Sequence, residues 1–199
     1  MSLFTSLKLV KAGQAGKVIP TTIEVNTQRL EKFISELNGK QLYCISGESL
    51  APEGIHTGDI LVATDIAEDY DVNTKLGYGA LIILKISGKD NVEDCPLDNS
   101  DLKIRKYITT IDITRPAKDL WSEVKAIDQF SRGSDLETLF SKKYQKAKER
   151  ITEEKDQQCV ILSITYTAEN GREYSFHSRK RLCAKVEYYI DKENNKHNS

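Results

Sequence analysis

One stretch constrains this chain more than any other. From Cys44 to Ala63 it reads Cys-Ile-Ser-Gly-Glu-Ser-Leu-Ala-Pro-Glu-Gly-Ile-His-Thr-Gly-Asp-Ile-Leu-Val-Ala. A short strand ends in a turn at Gly47, where glycine permits a tight bend. Ser49 stands at the tip of that bend. A loop containing Pro52 and Gly54 follows, then Gly58-Asp59, then a second apolar strand. The order presents one serine, Ser49, on a glycine turn between two strands that belong in a core.

Composition narrows what surrounds this stretch. The chain has 199 residues, enough for one sizeable domain or a domain with an insertion. Its net charge of -1 gives no global basic field, so direct nucleic-acid binding is not expected. Cys44, Cys95, Cys159 and Cys183 are spread out, with no paired spacing and no histidine at metal-ligand distance along the chain. They read as reduced, mostly buried thiols of a cytoplasmic protein, with no metal and no cofactor implied. No run of about 18 apolar residues is present, so no membrane span is expected, and the N-terminal residues lack the apolar core of a signal peptide.

In order, residues 1–26 read as a weakly structured, flexible arm, with a short strand at Leu7-Lys8-Leu9-Val10. Small residues at Ala12-Gly13 and Ala15-Gly16 leave its backbone open. Leu30, Phe33, Ile34 and Leu37 predict a helix over 27–38, capped by Asn26 or Thr27 and stopped by Gly39. Strands are expected at 41–45 and 59–63, a surface loop at 64–78, a buried strand at 80–86, a polar loop at 88–101 and a strand at 102–108. Helices are expected at 117–130 and 134–156. The second opens on a Ser134-to-Glu137 capping box, carries an apolar face through Leu136, Leu139, Phe140 and Tyr144, and ends in a charged, solvated stretch. Asn170-Gly171 predicts a hairpin between strands 159–166 and 173–177. A strand at 181–190 follows, and 191–199 read as a disordered tail. The fold class is mainly β.

Taken together, Gly47-Glu48-Ser49-Leu50, the proline–glycine loop, Gly58-Asp59-Ile60-Leu61-Val62, the strand bounded by Gly79 and Gly88, and the closing strand 181–190 resemble the LexA/UmuD-type self-cleaving serine peptidases. That family usually reads Gly-Asp-Ser-Met at the serine, so Glu48 and Leu50 are conservative departures. The resemblance covers about 10–108 and 180–190. It implies a LexA-like core of curled antiparallel sheets over 27–190 with an N-terminal helix. The helical pair at about 115–156 has no counterpart and reads as an insertion. Signal peptidases carry a related serine motif but are normally membrane-anchored. The resemblance further implies a cut at Ala12-Gly13, a homodimer, and protein partners such as RecA-like filaments or a lesion-bypass polymerase.

The chemistry turns on one base. A serine hydroxyl needs a group to take its proton, and the family's solution is a lysine held neutral by burial. The simplest alignment puts Arg105 at the lysine position, and a guanidinium stays protonated. Lys103, two residues earlier, points to the same strand face. Lys106 points the other way, and Lys85 lies on the preceding strand. Two readings follow. In the first, the Ser-Lys site is degenerate and the chain is a LexA/UmuD-like regulatory or binding module acting through dimerisation and protein partners. In the second, Ser49 and Lys103 form an active dyad that removes the N-terminal arm near Ala12-Gly13. No motif supports a serine–histidine pair with His56 or His177, and both read as surface histidines.

Overall fold

A computed structural model describes residues 4–12, 22–67, 69–86, 101–128, 134–152, 159–167 and 171–199. The chain divides into two compact units. One holds residues 1–67, 81–105 and 183–199; the other holds 68–80 and 106–182. It is a strand-rich mixed protein, with a curled sheet and a helical pair.

The first unit carries β1 (Phe4–Lys11), β2 (Thr22–Asn26), β3 (Gln41–Ser46), β4 (Ile60–Asp65), β5 (Leu81–Ile86), the start of β6 (Asp101–Asp112), most of β9 (Leu182–Ile190) and β10 (Lys196–Asn198). Its strands lie in the order β2-β1-β3-β4-β9-β5-β6. β1 meets β3 in parallel and also pairs with β6 at Lys11 and Lys103, so the sheet curls until its first and last long strands touch. The sequence explains the core. Ile60 to Ala63 and Leu81 to Leu84 are unbroken apolar runs, and every residue in them is buried. β9 instead alternates, burying Leu182, Ala184, Val186 and Tyr188 on one face, as a half-covered strand should. Leu30, Phe33, Cys44, Ile60, Val62, Tyr188 and Ile190 form one apolar cluster.

The second unit contains a short helix α1 (Val72–Lys75), the end of β6, α2 (Ala117–Ile127), α3 (Ser134–Thr152), β7 (Cys159–Thr165) and β8 (Glu173–Ser178). β6, β7 and β8 pair antiparallel in that order. Val160, Leu162, Ile164, Tyr174 and Phe176 on one face of the hairpin pack with Leu120, Trp121 and Val124 of α2 and Phe140, Tyr144 and Ala147 of α3. Tyr144 donates its hydroxyl to the carbonyls of Ile113 and Arg115, satisfying a buried phenol that burial pushes up to about 12.

Several expectations are corrected. The arm read as weakly structured contains two paired strands, β1 and β2, in antiparallel register from Phe4–Asn26 to Lys8–Thr22. The segment 27–38 is two 3-10 turns, Thr27–Arg29 and Glu31–Glu36, rather than an α-helix. Three residues per turn keep Leu30 and Phe33 on one side, while Ile34 rotates out and is 63% exposed. The loop 64–78 contains α1, whose N-terminus is capped by the Asp71 carboxylate accepting from Asn73 and Thr74. Val72 and Leu76 are buried. The tail read as disordered folds back on itself. Asp191 accepts the Asn195 N–H at 2.8 Å, Asn194 takes φ +64, and β10 pairs with Ile190–Tyr188. An aspartate-led turn with an asparagine at positive φ is the local chemistry that permits this. Of the cysteines, Cys44 is buried, Cys183 half-buried and Cys159 exposed, all as free thiols, so burial is not their common state. Residues 88–100 of the expected polar loop, with Cys95, and Asn170 lie outside the described residues, and Asp101 already belongs to β6.

Candidate functional site: the serine turn

The site grows out of the β1–β3 ladder. Lys8, Leu9, Val10 and Lys11 pair in parallel with Tyr43, Cys44, Ile45 and Ser46. One residue further, the Ala12 N–H donates to the Ser46 carbonyl at 2.8 Å, and Ala12 is buried. There β3 breaks into its turn. Gly47 adopts φ +106, and a β-carbon on it would stand 3.2 Å from the Ala12 carbonyl carbon and closer still to the oxygen. The arm therefore lies directly on the glycine of the serine turn. Ser49 follows two residues later. Its Oγ is buried and makes no hydrogen bond among the described residues. Leu50, wholly buried, anchors the far side of the turn.

The turn is braced from outside. The Gly47 N–H donates to Thr57 Oγ1 at 2.9 Å, and the Thr57 N–H donates to Glu48 Oε1 at 3.1 Å. The other Glu48 oxygen lies 2.9 Å from His56 Nδ1. The hydrogen bond with His56, helped by those with Thr57, holds the Glu48 carboxyl below the usual carboxylate range. Asp59 accepts the His56 N–H at 2.8 Å, yet burial outweighs that bond and raises its pKa. Arg29 closes the bracing by donating to the carbonyls of Gly58 at 3.3 Å and Asp191 at 2.9 Å, and to Asn194 Oδ1 at 3.2 Å. The loop behind the serine is thus tied to the C-terminal turn.

The candidate bases fall as follows. Lys103 is the parallel partner of Lys11 and is half-buried. Arg105 is buried and donates from Nη1 to the Ile104 carbonyl at 2.8 Å. No amine stands within hydrogen-bonding distance of Ser49 Oγ among the described residues. Lys85 is exposed. Lys106 belongs to the second unit, with its ammonium 5.5 Å from the centre of the Tyr78 ring. Gly13 lies outside the described residues. His56 is exposed, as expected, but His177 is not. It is buried on β8 opposite the fully buried Ile161, because this hairpin is covered on both faces. No group of three or more metal-ligating side chains occurs among the described residues, and no helix there is long and apolar enough to cross a membrane.

The arrangement brings together a small, buried residue of the arm, a glycine turn and a buried hydroxyl, with the strand of Lys103 beside the arm. The sequence marked Gly47 as a bend and Ala12 as a small residue. Their contact was out of its reach because it depends on a strand pairing between distant segments. The bracing by Arg29 and Asp191 left no motif at all. The fold and site define a strand-rich protein with a serine turn carrying its own N-terminal strand. No protein-family model, curated protein or solved structure matches this chain.

Proposed function

We propose that the first unit is a LexA-type self-cleaving serine peptidase core, with Ser49 as nucleophile, Lys103 as its base and the Ala12-Gly13 bond as substrate. The observation that carries this reading is the seating of Ala12 on Gly47, two residues in sequence from a buried serine hydroxyl that has no hydrogen-bond partner among the described residues. Holding a peptide against its nucleophile removes the entropy of bringing the two together. The register of Lys103 with Lys11 favours Lys103 over Arg105 as the base, since it lies beside the residue that precedes Ala12. The first unit contains most of the stretches that carry the family resemblance, 10–67, 81–105 and 183–190, and the block without counterpart at about 115–156 falls within the second unit. Incubation of the purified chain at alkaline pH, read by mass spectrometry, tests the proposal. A new N-terminus at Gly13 that is lost in Ser49→Ala supports it; an intact chain at every pH removes it.

A second reading has its own observation. Among the described residues Ser49 Oγ has no amine at hydrogen-bonding distance, and a buried arginine lies two residues from Lys103 on the same strand. Both fit a degenerate site in a regulatory or binding module that pairs as a homodimer and engages a RecA-like or polymerase-like partner. A chain that stays whole at alkaline pH but scatters light as a dimer at micromolar concentration is the outcome expected of that reading.

A further inference from the structure

We infer that Gly47 is the residue that admits the arm: its missing side chain is the seat of the Ala12 carbonyl, and it positions the chain relative to Ser49. Three observations converge on it. First, the Ala12 N–H donates to the Ser46 carbonyl at 2.8 Å, so Ala12 is held in the β1–β3 ladder at the point where the turn through Gly47 begins. Second, Gly47 adopts φ +106, a conformation that side chains of the L series rarely take. Third, the described glycines differ in what a β-carbon would meet. At Gly54 it would meet only the Tyr189 hydroxyl at 3.3 Å, and at Gly58 the flexible Lys192 side chain at 3.0 Å. At Gly39, Gly77 and Gly171 it would meet nothing, and at Gly79 only the Lys106 side chain at 3.6 Å. Gly47 alone among them would drive a β-carbon into main chain, that of Ala12. A flexible side chain can step aside; a backbone held in a ladder cannot without leaving it. Gly47 is a positioning residue, acting on the scissile strand rather than on the reacting atoms. The consequence for cleavage rests on the peptidase reading, but the docking of the arm does not.

Amide hydrogen exchange on the full-length chain tests this, in a Ser49→Ala background so that no cut intervenes. Exchange in segment 4–12 is slow in the parent. Gly47→Ala raises its rate by at least about tenfold. Gly54→Ala, also at positive φ but away from the arm, leaves it unchanged and controls for backbone strain. Gly47→Asn is the second variant, because asparagine tolerates positive φ while carrying the same β-carbon; it raises exchange in the same segment. A folded Gly47→Ala or Gly47→Asn protein with the protection of 4–12 intact overturns the inference. Cutting is read separately with Ser49 restored. If the arm is released by Gly47→Ala but the wild type never cuts, the seat stands and the peptidase reading falls. If the wild type cuts and Gly47→Ala keeps its arm protected, the reverse holds.

Discussion

Lys103 is the parallel-strand partner of Lys11, one residue before Ala12. The strand bearing the candidate base therefore runs beside the strand bearing the candidate scissile bond. Cleavage by a neutral amine should accelerate with pH, by roughly tenfold per unit until the ammonium has lost its proton. Lys103→Ala should abolish the cut as fully as Ser49→Ala does. Arg105→Met, which keeps the volume of a buried side chain, should leave it in place. Loss of cutting in Arg105→Met with Lys103→Ala still active would overturn the assignment of Lys103 as the base. Quantified N-terminal fragments over a pH series provide the measurement.

Asp128 should be the most sensitive single polar position in the second unit. It is fully buried at the C-terminus of α2, is ion-paired with Arg172, and accepts from the Tyr174 and Tyr78 hydroxyls, both at 3.1 Å. Burial, with the Asp128 charge second, raises the pKa of both tyrosines. Removing one partner of a buried pair leaves the other uncompensated, at about 3–5 kcal/mol. Asp128→Ala should lose stability of that order, and Asp128→Leu combined with Arg172→Met should lose much less. The only tryptophan, Trp121, packs 6.0 Å from the Tyr174 ring, so its fluorescence during urea unfolding reports this unit. A change below about 1 kcal/mol in Asp128→Ala would contradict the assignment.

The C-terminal turn should be acid-labile. A hydrogen bond with His197 Nε2 at 2.7 Å, followed by the Asn195 N–H, holds the Asp191 carboxyl down to about 2. An acid whose pKa is depressed by folding stabilises the folded form above its unfolded pKa, near 3.9. That contribution is lost as the pH falls from about 4 towards 2. Exchange of amides 191–199 should therefore rise across that window, and Asp191→Asn should flatten the rise. Unchanged protection in the wild type down to pH 2 would refute the coupling.

What the chain disclosed in advance follows from where each signal resides. β4 and β5 were legible because continuous apolar runs have few homes other than a buried strand. Leu30, Phe33, Ile34 and Leu37 suggested an α-helix because period 3.6 and period 3 share most of their positions over two turns; only the exposure of Ile34 separates them. The tail was misjudged because its composition is that of disorder, whereas its order comes from the pairing of β10 with β9 and from side-chain ties that include those of Asp191, Asn195, His197 and Arg29. Ser49 and Lys103 could be nominated from local wording. The meeting of Ala12 with Gly47 could not, since nothing in either segment encodes the parallel pairing of β1 with β3.

That pairing separates cutting from parting. Phe4 to Lys8 of β1 pair with β2 and Lys8 to Lys11 pair with β3, and both of these neighbours lie beyond Gly13 in the chain. A break after Ala12 would leave the severed strand gripped by the remainder, much as complementing fragments of a split protein hold together. The nicked molecule should co-elute as a single species on size exclusion and fall into two only in denaturant. Any output of the cut that depends on shedding the first twelve residues then needs a second event that strips β1 from the sheet, and the timing of that event, rather than of peptide hydrolysis, would set the response.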